Sequence, residues 1–536
     1  MHIFPSETTT DLPERFTDPF RYTPHPLVRE AAGMVIHEIE NDPGLNRAFL
    51  EGKMLGVLVV SDKEGRTGYL AGFSGNAGGC SNIEGFVPPI YDLLDPSGHF
   101  KIREAEITAM NSEIGLLQGS AHHKALTDRL SCFEKQRDEE ISLMKARMEA
   151  SRKQREETRK GTADPDALSA LIRESQFEKA QLKRVKNGWE EKICGTRKEI
   201  AGIQDRIREL KSRRAAMSDE LQKWIFSQYI VHNYAGEEKS IGDIFSNLGL
   251  TPPGGTGECA APKLLEHAYR NGLRPLAMGE FWYGESPSTA VRTHGHFYPS
   301  CTSKCGPLLS FMMKGLEVEK GTQATGEPIV IYEDSLLIAI DKPSGMPSVP
   351  GLDGRGSAYE YLRRTHEDLH VVHRLDMDTS GILLFAKTAE AAAYIQRQFE
   401  EHTIRKTYHA RLSDSAFGKK LKAGDKGEIS LPLSPDYDER PRQKVDHAQG
   451  KAALTQYEVI SVYKDGTTDI EFHPHTGRTH QLRVHAAHTL GLGRPIVGDL
   501  LYGGSPAARL HLHAASITFR NPGTDATMTL ESINHK

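Results

Sequence analysis

At 536 residues, with a formal net charge of −5 and a pI near 6.6, the chain is too long for one ordinary domain and too acidic to coat nucleic acid through bulk charge. Roughly two to four units are expected, and any RNA contact must come from local basic patches. Six cysteines in that length, with no basic start leading into an apolar core at Met1 to Pro13, point away from secretion and toward a reducing, cytoplasmic setting.

The longest apolar runs, such as Gly56 to Val60, are far shorter than the ~18 residues of a membrane span, so no membrane association is expected. Residues 1 to about 45 are rich in Pro, Thr and charge, with a short helical pattern from Leu27 to Ile39. Met54 to Val60 and Gly68 to Phe73 flank the polar stretch Asp62-Lys63-Glu64-Gly65-Arg66 and read as a β-hairpin. The Gly-rich run from Gly72 to Gly79 lacks a strand-loop-helix frame and a Walker lysine, so it reads as a flexible turn rather than a phosphate cradle. Residues 1–100 are taken as one N-terminal region.

From about Lys101 to Lys160, and again from about Asp166 to Trp224, the composition turns to Glu, Lys, Arg, Gln, Ala and Leu, the residues that favour helix. Leu182, Val185, Trp189, Ile193, Ile200, Ile203, Ile207, Leu210, Met217, Leu221 and Trp224 recur at spacings that mark a heptad seam. Gly161-Thr162-Ala163-Asp164-Pro165 supplies a turn. Residues 101–225 are therefore expected to form an antiparallel helical hairpin, its arms reaching roughly 80–90 Å at 1.5 Å per residue. Its basic stretches, Arg152 to Arg155 and Lys211 to Arg214, suit phosphate contact and equally suit the solvated flanks of a coiled coil.

Residues 226–320 are richer in Gly, Pro, aromatics and Cys and read as a small α/β region. Three readings stand side by side there. Cys259 is placed to be an activated thiol at a helix N-terminus, with His294 or His296 as its partner. His294, His296, Cys301 and Cys305 are ligand types that suit tetrahedral zinc, at a spacing unlike the common zinc fingers. The third reading is of plain buried cysteines.

In the last part, short β-like runs alternate with turns: Ser335 to Ile340, Gly381 to Ala386, Thr407 to Leu412, Leu454 to Val462, Thr468 to Phe472, Gln481 to His485 and His511 to Phe519. Ala389 to Glu401 carries helical spacing. This is the pattern of an α+β domain with a largely antiparallel sheet. Within it, His373-Arg374-Leu375-Asp376-Met377-Asp378-Thr379-Ser380-Gly381 sets a carboxylate between a basic residue and a turn, just before an apolar strand. That is the form of a loop presenting a carboxylate to a pocket.

These nine residues resemble the catalytic loop of the RluA-type pseudouridine synthases. Four other stretches strengthen the resemblance: Asp341-Lys342-Pro343-Ser344-Gly345-Met346, Arg405-Lys406-Thr407-Tyr408-His409-Ala410, Thr476-Gly477-Arg478-Thr479-His480-Gln481-Leu482-Arg483, and Gly498-Asp499-Leu500-Leu501-Tyr502-Gly503. The resemblance covers residues 325–536 and implies a mixed, largely antiparallel sheet flanked by helices. It also implies an isomerase that converts uridine to pseudouridine in tRNA, in large-subunit rRNA or in both.

Such chemistry breaks the bond from ribose to the base nitrogen and rejoins ribose to carbon 5. No redox step or phosphoryl energy is required, so no cofactor is expected. On the resemblance, Asp376 is the catalytic carboxylate, Arg483 pairs with it and holds it ionised, and Tyr408 stacks on the base and moves a proton. Leu482 packs against the base, and Arg374 is placed to fill the stack that an extruded base vacates or to grip a flanking phosphate. The cluster Arg440, Arg442 and Lys444 looks like a grip on the RNA backbone. Two other classes remain open at this point: a non-catalytic RNA-binding or ribosome-assembly factor, and a bifunctional protein with a thiol or zinc site in the middle region. None of these features sets an oligomeric state.

Overall fold

A computed structural model of the chain describes residues 1–5, 10–288, 290–319, 326–351, 356–415, 418–437 and 439–533. The expected boundary at 320–325 lies outside the described residues. Contacts divide the chain into two compact units, one of residues 93–225 and one that joins residues 1–92 to 226–536.

The unit of residues 93–225 is helical: His99–Gln118, Ala121–Gly161 and Pro165–Gln228. The expected first arm is broken in two, because Gly119 ends one helix and the Ser120 hydroxyl caps the next by accepting the His123 N–H at 3.1 Å. The return runs antiparallel. Glu113 pairs with Arg206 at 3.2 Å, Arg129 with Glu199 at 3.2 Å, Glu134 with Arg197 at 2.6 Å and Arg155 with Glu178 at 2.7 Å, so partner numbers fall as the first arm rises. Ile114, Leu117, Ile203, Ile207 and Leu210 form a small apolar cluster of their own. Every expected seam residue from Leu182 to Trp224 is buried or half-buried. At 1.5 Å per residue, the 64-residue return helix is about 95 Å long.

The expected separate regions 1–100 and 226–320 are not separate. Strands His2–Ile3, Thr67–Phe73, Lys53–Ser61, Arg274–Tyr283 and Phe297–Tyr298 lie in that order in one five-stranded sheet. The central strand Lys53–Ser61 pairs antiparallel with Thr67–Phe73 on one side and with Arg274–Tyr283 on the other, from Lys53 opposite Tyr283 to Ser61 opposite Arg274. A lone two-stranded hairpin is marginal in water, and so apolar a strand at an open edge would invite aggregation. The third strand, from beyond the helical insertion, removes that edge.

Both faces of this sheet are covered. Helix Pro26–Asn41 packs Leu27, Val28, Ala31, Val35 and Ile39 into one core with Val57 and Val59. Helix Ala260–Arg270 crosses the other face so closely that a side chain at Gly56 would meet Ala260 Cβ at 3.0 Å.

Residues 329–531 build a ten-stranded sheet. Its main path runs Lys426–Ser430, Leu454–Val462, Thr468–Pro474, Arg405–Leu412, Leu512–Arg520, Ser380–Ala386, Leu337–Lys342 and Ile329–Glu333, while His370–Val371 and Thr527–Glu531 pair beside it. Every pairing is antiparallel except that of Ser380–Ala386 with Leu512–Arg520. At that parallel step Gly381 has φ of +108°, and a Cβ there would lie 2.3 Å from the Ala514 carbonyl oxygen. Only glycine lets the chain leave the loop of residues 373–381 and enter the sheet at this point.

One expected strand is a helix: Gln481 to His485 falls in Gln481–Ala487. All seven residues are buried, so the alternation of apolar and polar side chains marks no solvent face. The polar members are satisfied by tertiary contacts instead. The Gln481 amide donates to the Leu454 carbonyl at 3.0 Å and to Thr455 Oγ1 at 2.9 Å, and its oxygen accepts from the Thr476 hydroxyl at 2.7 Å. Among the described residues no helix is long and apolar enough to cross a membrane.

Candidate active site

The loop from His373 to Gly381 is held from below by the turn that follows strand Leu337–Lys342. The Ser348 hydroxyl donates to the Leu375 carbonyl at 2.8 Å and accepts the Leu375 N–H at 3.0 Å. Gly345 donates its N–H to the Met377 carbonyl at 2.9 Å, and the Ser344 hydroxyl bonds the Asp378 carbonyl at 2.7 Å. The Lys342 ammonium is fully buried and is shared among the carbonyls of Pro343, Met346 and Met377 at 2.8–3.0 Å. Burial pulls its pKa down to about 7, with Asp378 and Asp376 opposing. The turn from Lys342 to Ser348 thus orders the backbone on both sides of Asp376.

The two carboxylates have different partners. Asp378 pairs at 2.9 Å with Arg21, a residue of the N-terminal segment that also reaches the Met377 sulfur at 3.2 Å. Asp376 faces Arg483, whose Nη1 lies 3.9 Å from its Oδ2.

Arg483 is nonetheless not held by Asp376. Its Nε and Nη2 donate in parallel to the two oxygens of Asp499, each at 2.7 Å, a bidentate geometry far stronger than the looser contact to Asp376. Asp499 has no exposed side-chain surface, Arg483 has 4 % and Asp376 has 25 %, so only the catalytic candidate opens to solvent. Asp499 Oδ1 also accepts the N–H groups of Leu501 and Tyr502, both at 3.2 Å. In the sequence Asp499 stands out only as part of one of the stretches that carry the resemblance, with no role of its own. The available signal was an acidic residue in a motif with no charged neighbour to satisfy it.

The protonation of Asp376 also departs from expectation. Burial pushes its carboxyl up, Arg483 pulls it down, Asp499 pushes it up again, and Lys342 and the His480 N–H pull it down. The outcome is a pKa above the usual Asp value rather than below it. Desolvation outweighs the guanidinium because Asp499 already neutralises that charge. His480 reaches the site in the left-handed region, φ +54°, and its Nδ1 lies 2.9 Å from the Tyr502 hydroxyl.

Tyr408 sits on strand Arg405–Leu412 where its register slips against Leu512–Arg520. Burial and the nearby Asp376 charge push its phenol well above the ordinary value, so it holds its proton. Leu482 is buried on the helix that carries Arg483. Arg374 is exposed, with no ion pair or hydrogen bond to its guanidinium among the described residues. Asp376, Tyr408, Leu482 and Arg483 are therefore brought together, with Arg374 on the same loop as the carboxylate.

The basic cluster divides. Arg440 is exposed beside the ring of Tyr437, 5.0 Å away, and Lys444 is half-buried on strand Gln443–Val445. Arg442 is only 5 % exposed. Its guanidinium donates to the carbonyls of Leu501 and Val291 and lies over the rings of Tyr502 and Tyr298. It ties the segment to the core and cannot grip a phosphate.

The expected zinc set is not assembled either. His294 Nδ1 accepts the Gly284 N–H at 3.1 Å, and half-buried His296 packs against Tyr298 with its pKa pulled down to about 4 by desolvation. Cys301 and Cys305 gather with Cys259 instead, without a histidine.

A family profile described as RNA pseudouridylate synthase matches residues 336–488. The Dual-specificity RNA pseudouridine synthase RluA of Yersinia pestis is 41% identical over 200 residues, spanning 36% of this chain and 93% of that protein. The Vibrio cholerae protein of the same name is 42% identical over 38% of this chain and 80% of its own length. The Escherichia coli one is 39% identical over 38% of this chain and 92% of its length. The solved human RNA Pseudouridylate Synthase Domain Containing 1 shares 27% identity over 38% of this chain and 83% of its own, at a TM-score of 0.32. With these bacterial relatives about 40% identical and matched over 80–93% of their own length, and with Asp376, Tyr408 and Arg483 inside the span of the family profile, the chain belongs to the RluA-type family of RNA pseudouridine synthases.

Proposed function

We propose that this enzyme isomerises uridine to pseudouridine in tRNA, in large-subunit rRNA or in both, in the cytoplasm, with Asp376 as the catalytic carboxylate. The observation that supports this best is the separation of tasks around Arg483: Asp499 fixes the guanidinium from behind, while Asp376 alone keeps an open face. A carboxylate so placed adds to an electron-poor carbon or takes a proton, and Arg483 stabilises its charged form. Tyr408, protonated and flat, stacks against the base and carries the proton that must move when the base changes its attachment. The target uridine has to leave its stack to reach this pocket, and exposed Arg374 occupies the space it vacates or holds a flanking phosphate. Arg440 and Lys444 contact the backbone.

The test is pseudouridine mapping of tRNA and rRNA from cells carrying the native gene, no gene, or the Asp376→Asn form. Sites that vanish without the gene and stay absent with Asp376→Asn identify the targets and the residue together. Restoration by Asp376→Asn would remove Asp376 from the chemistry.

A further inference from the structure

Outside the pocket, the most concentrated chemistry lies in the module built from both sides of the helical insertion. Cys259 is the residue before helix Ala260–Arg270, Cys301 follows strand Phe297–Tyr298, and Cys305 opens helix Cys305–Met312. Three separate pieces of chain thus converge, and their Sγ atoms all lie within 4.8 Å of one another. No two of them form a disulfide. Around a zinc ion with bonds of about 2.3 Å, the corners of a sulfur tetrahedron stand about 3.8 Å apart. The sulfurs need close by only about 1 Å, within the reach of side-chain rotation.

Cys259 and Cys305 stand at helix N-termini, where the backbone dipole favours negative charge. The Cys305 N–H points at Cys301 Sγ, 3.4 Å away, the kind of outer bond that orients a metal ligand. All three cysteines line a cavity of about 350 Å³, as does Lys304. Glu280 borders the same cavity, but its carboxylate already accepts the Ala261 N–H at 3.2 Å and the Ser300 hydroxyl at 2.5 Å. The fourth position therefore falls to water or another small ligand from the cavity.

We infer that Cys259, Cys301 and Cys305 bind one zinc ion, with the fourth coordination position open to this cavity. Soft thiolates in so compact a group select zinc over the oxygen-loving cations. A catalytic thiol would need a base, and neither His294 nor His296 belongs to the group. The site has a mechanical consequence. Thr302, between two of the ligands, holds the Arg440 carbonyl with its N–H at 3.0 Å and its hydroxyl at 2.9 Å. The ion thereby stiffens the loop against which the Arg440 segment of the catalytic domain rests.

The experiment is metal analysis of the full chain purified without chelator or affinity metal, together with cobalt substitution. One zinc per chain is expected, released in step with titration of three thiols by a mercurial, and the cobalt form should show thiolate-to-cobalt charge-transfer absorption. C259S, C301S and C305S should each lose the stoichiometric zinc, whereas H294A and H296A should keep it. Because a serine variant can fail to fold, the cobalt spectrum of the unaltered chain decides independently. Absence of the charge-transfer band, copper in place of zinc, a mass showing an internal disulfide, or zinc retained by folded C259S would each overturn the assignment.

Discussion

The catalytic pocket and the helical hairpin both abound in charge, yet they use it in opposite ways. In the pocket, Arg483, Asp499 and Lys342 are withdrawn from water and each is held by two or more hydrogen bonds. Along the hairpin, pairs such as Arg129 with Glu199 leave about half of each side chain in solvent, where they add little and salt screens them. A charge matters in proportion to what it loses when its partner is taken away. Buried partners are therefore the places where single substitutions separate chemistry from stability.

The sharpest test of that contrast is Asp376→Asn, which should abolish turnover while leaving the fold and RNA affinity nearly intact, because it removes charge but little volume. Single-turnover assays beside RNA binding measure both. Tyr408→Phe keeps the ring and removes the proton. It should slow the reaction by about 10²–10⁴-fold with little change in binding, and an unchanged rate would confine Tyr408 to stacking.

Asp499→Ala attacks the other half of the pair and strands a buried guanidinium. It should cost about 3–5 kcal/mol of stability, read by chemical denaturation, and lower activity as Arg483 loses its orientation. A loss as small as that of the exposed Arg129→Ala would erase the distinction between the two regions.

Acid titration sharpens the comparison through histidines. Burial pulls His373 down to a pKa of about 3, and His296 and His485 to about 4. Unfolded histidine takes a proton near 6.5, so the stabilising contribution of keeping these rings neutral is complete above about pH 6.5. It drains as pH falls from there through about 4 and about 3, by at most roughly 1.4 kcal/mol per pH unit for each ring. The melting temperature of the full chain should fall accordingly between pH 7 and 5, and a flat profile would contradict the burial.

The smallest effect on chemistry is expected from the hairpin itself. Replacing residues 103–224 by a short Gly-Ser linker should preserve turnover on a minimal stem-loop. On full-length RNA it should raise KM and flatten its salt dependence, because fewer counterions are released. Identical kinetics on both RNAs would leave the hairpin without a role in RNA choice.

The sequence alone went far where information is local. Most strands of the large sheet and the apolar seam of the hairpin show in short windows, because side-chain periodicity and turn chemistry act over a few residues, whereas Asp376, Tyr408 and Arg483 stood out through the resemblance of their short motifs to a known family. Gln481 to His485 was misread for a related reason: when every residue is buried, alternation no longer reports a face.

Four facts waited for the tertiary structure: the union of strands Lys53–Ser61 and Arg274–Tyr283 across the helical insertion, the Asp499 grip on Arg483, the interment of Arg442 and the recruitment of Cys259 to Cys301 and Cys305. Each depends on residues far apart in the chain, and a residue's type does not disclose which distant partner will satisfy it. An arginine in a basic cluster reads the same whether it meets phosphate or two buried carbonyls. Only packing, which decides who loses water and beside whom, tells them apart.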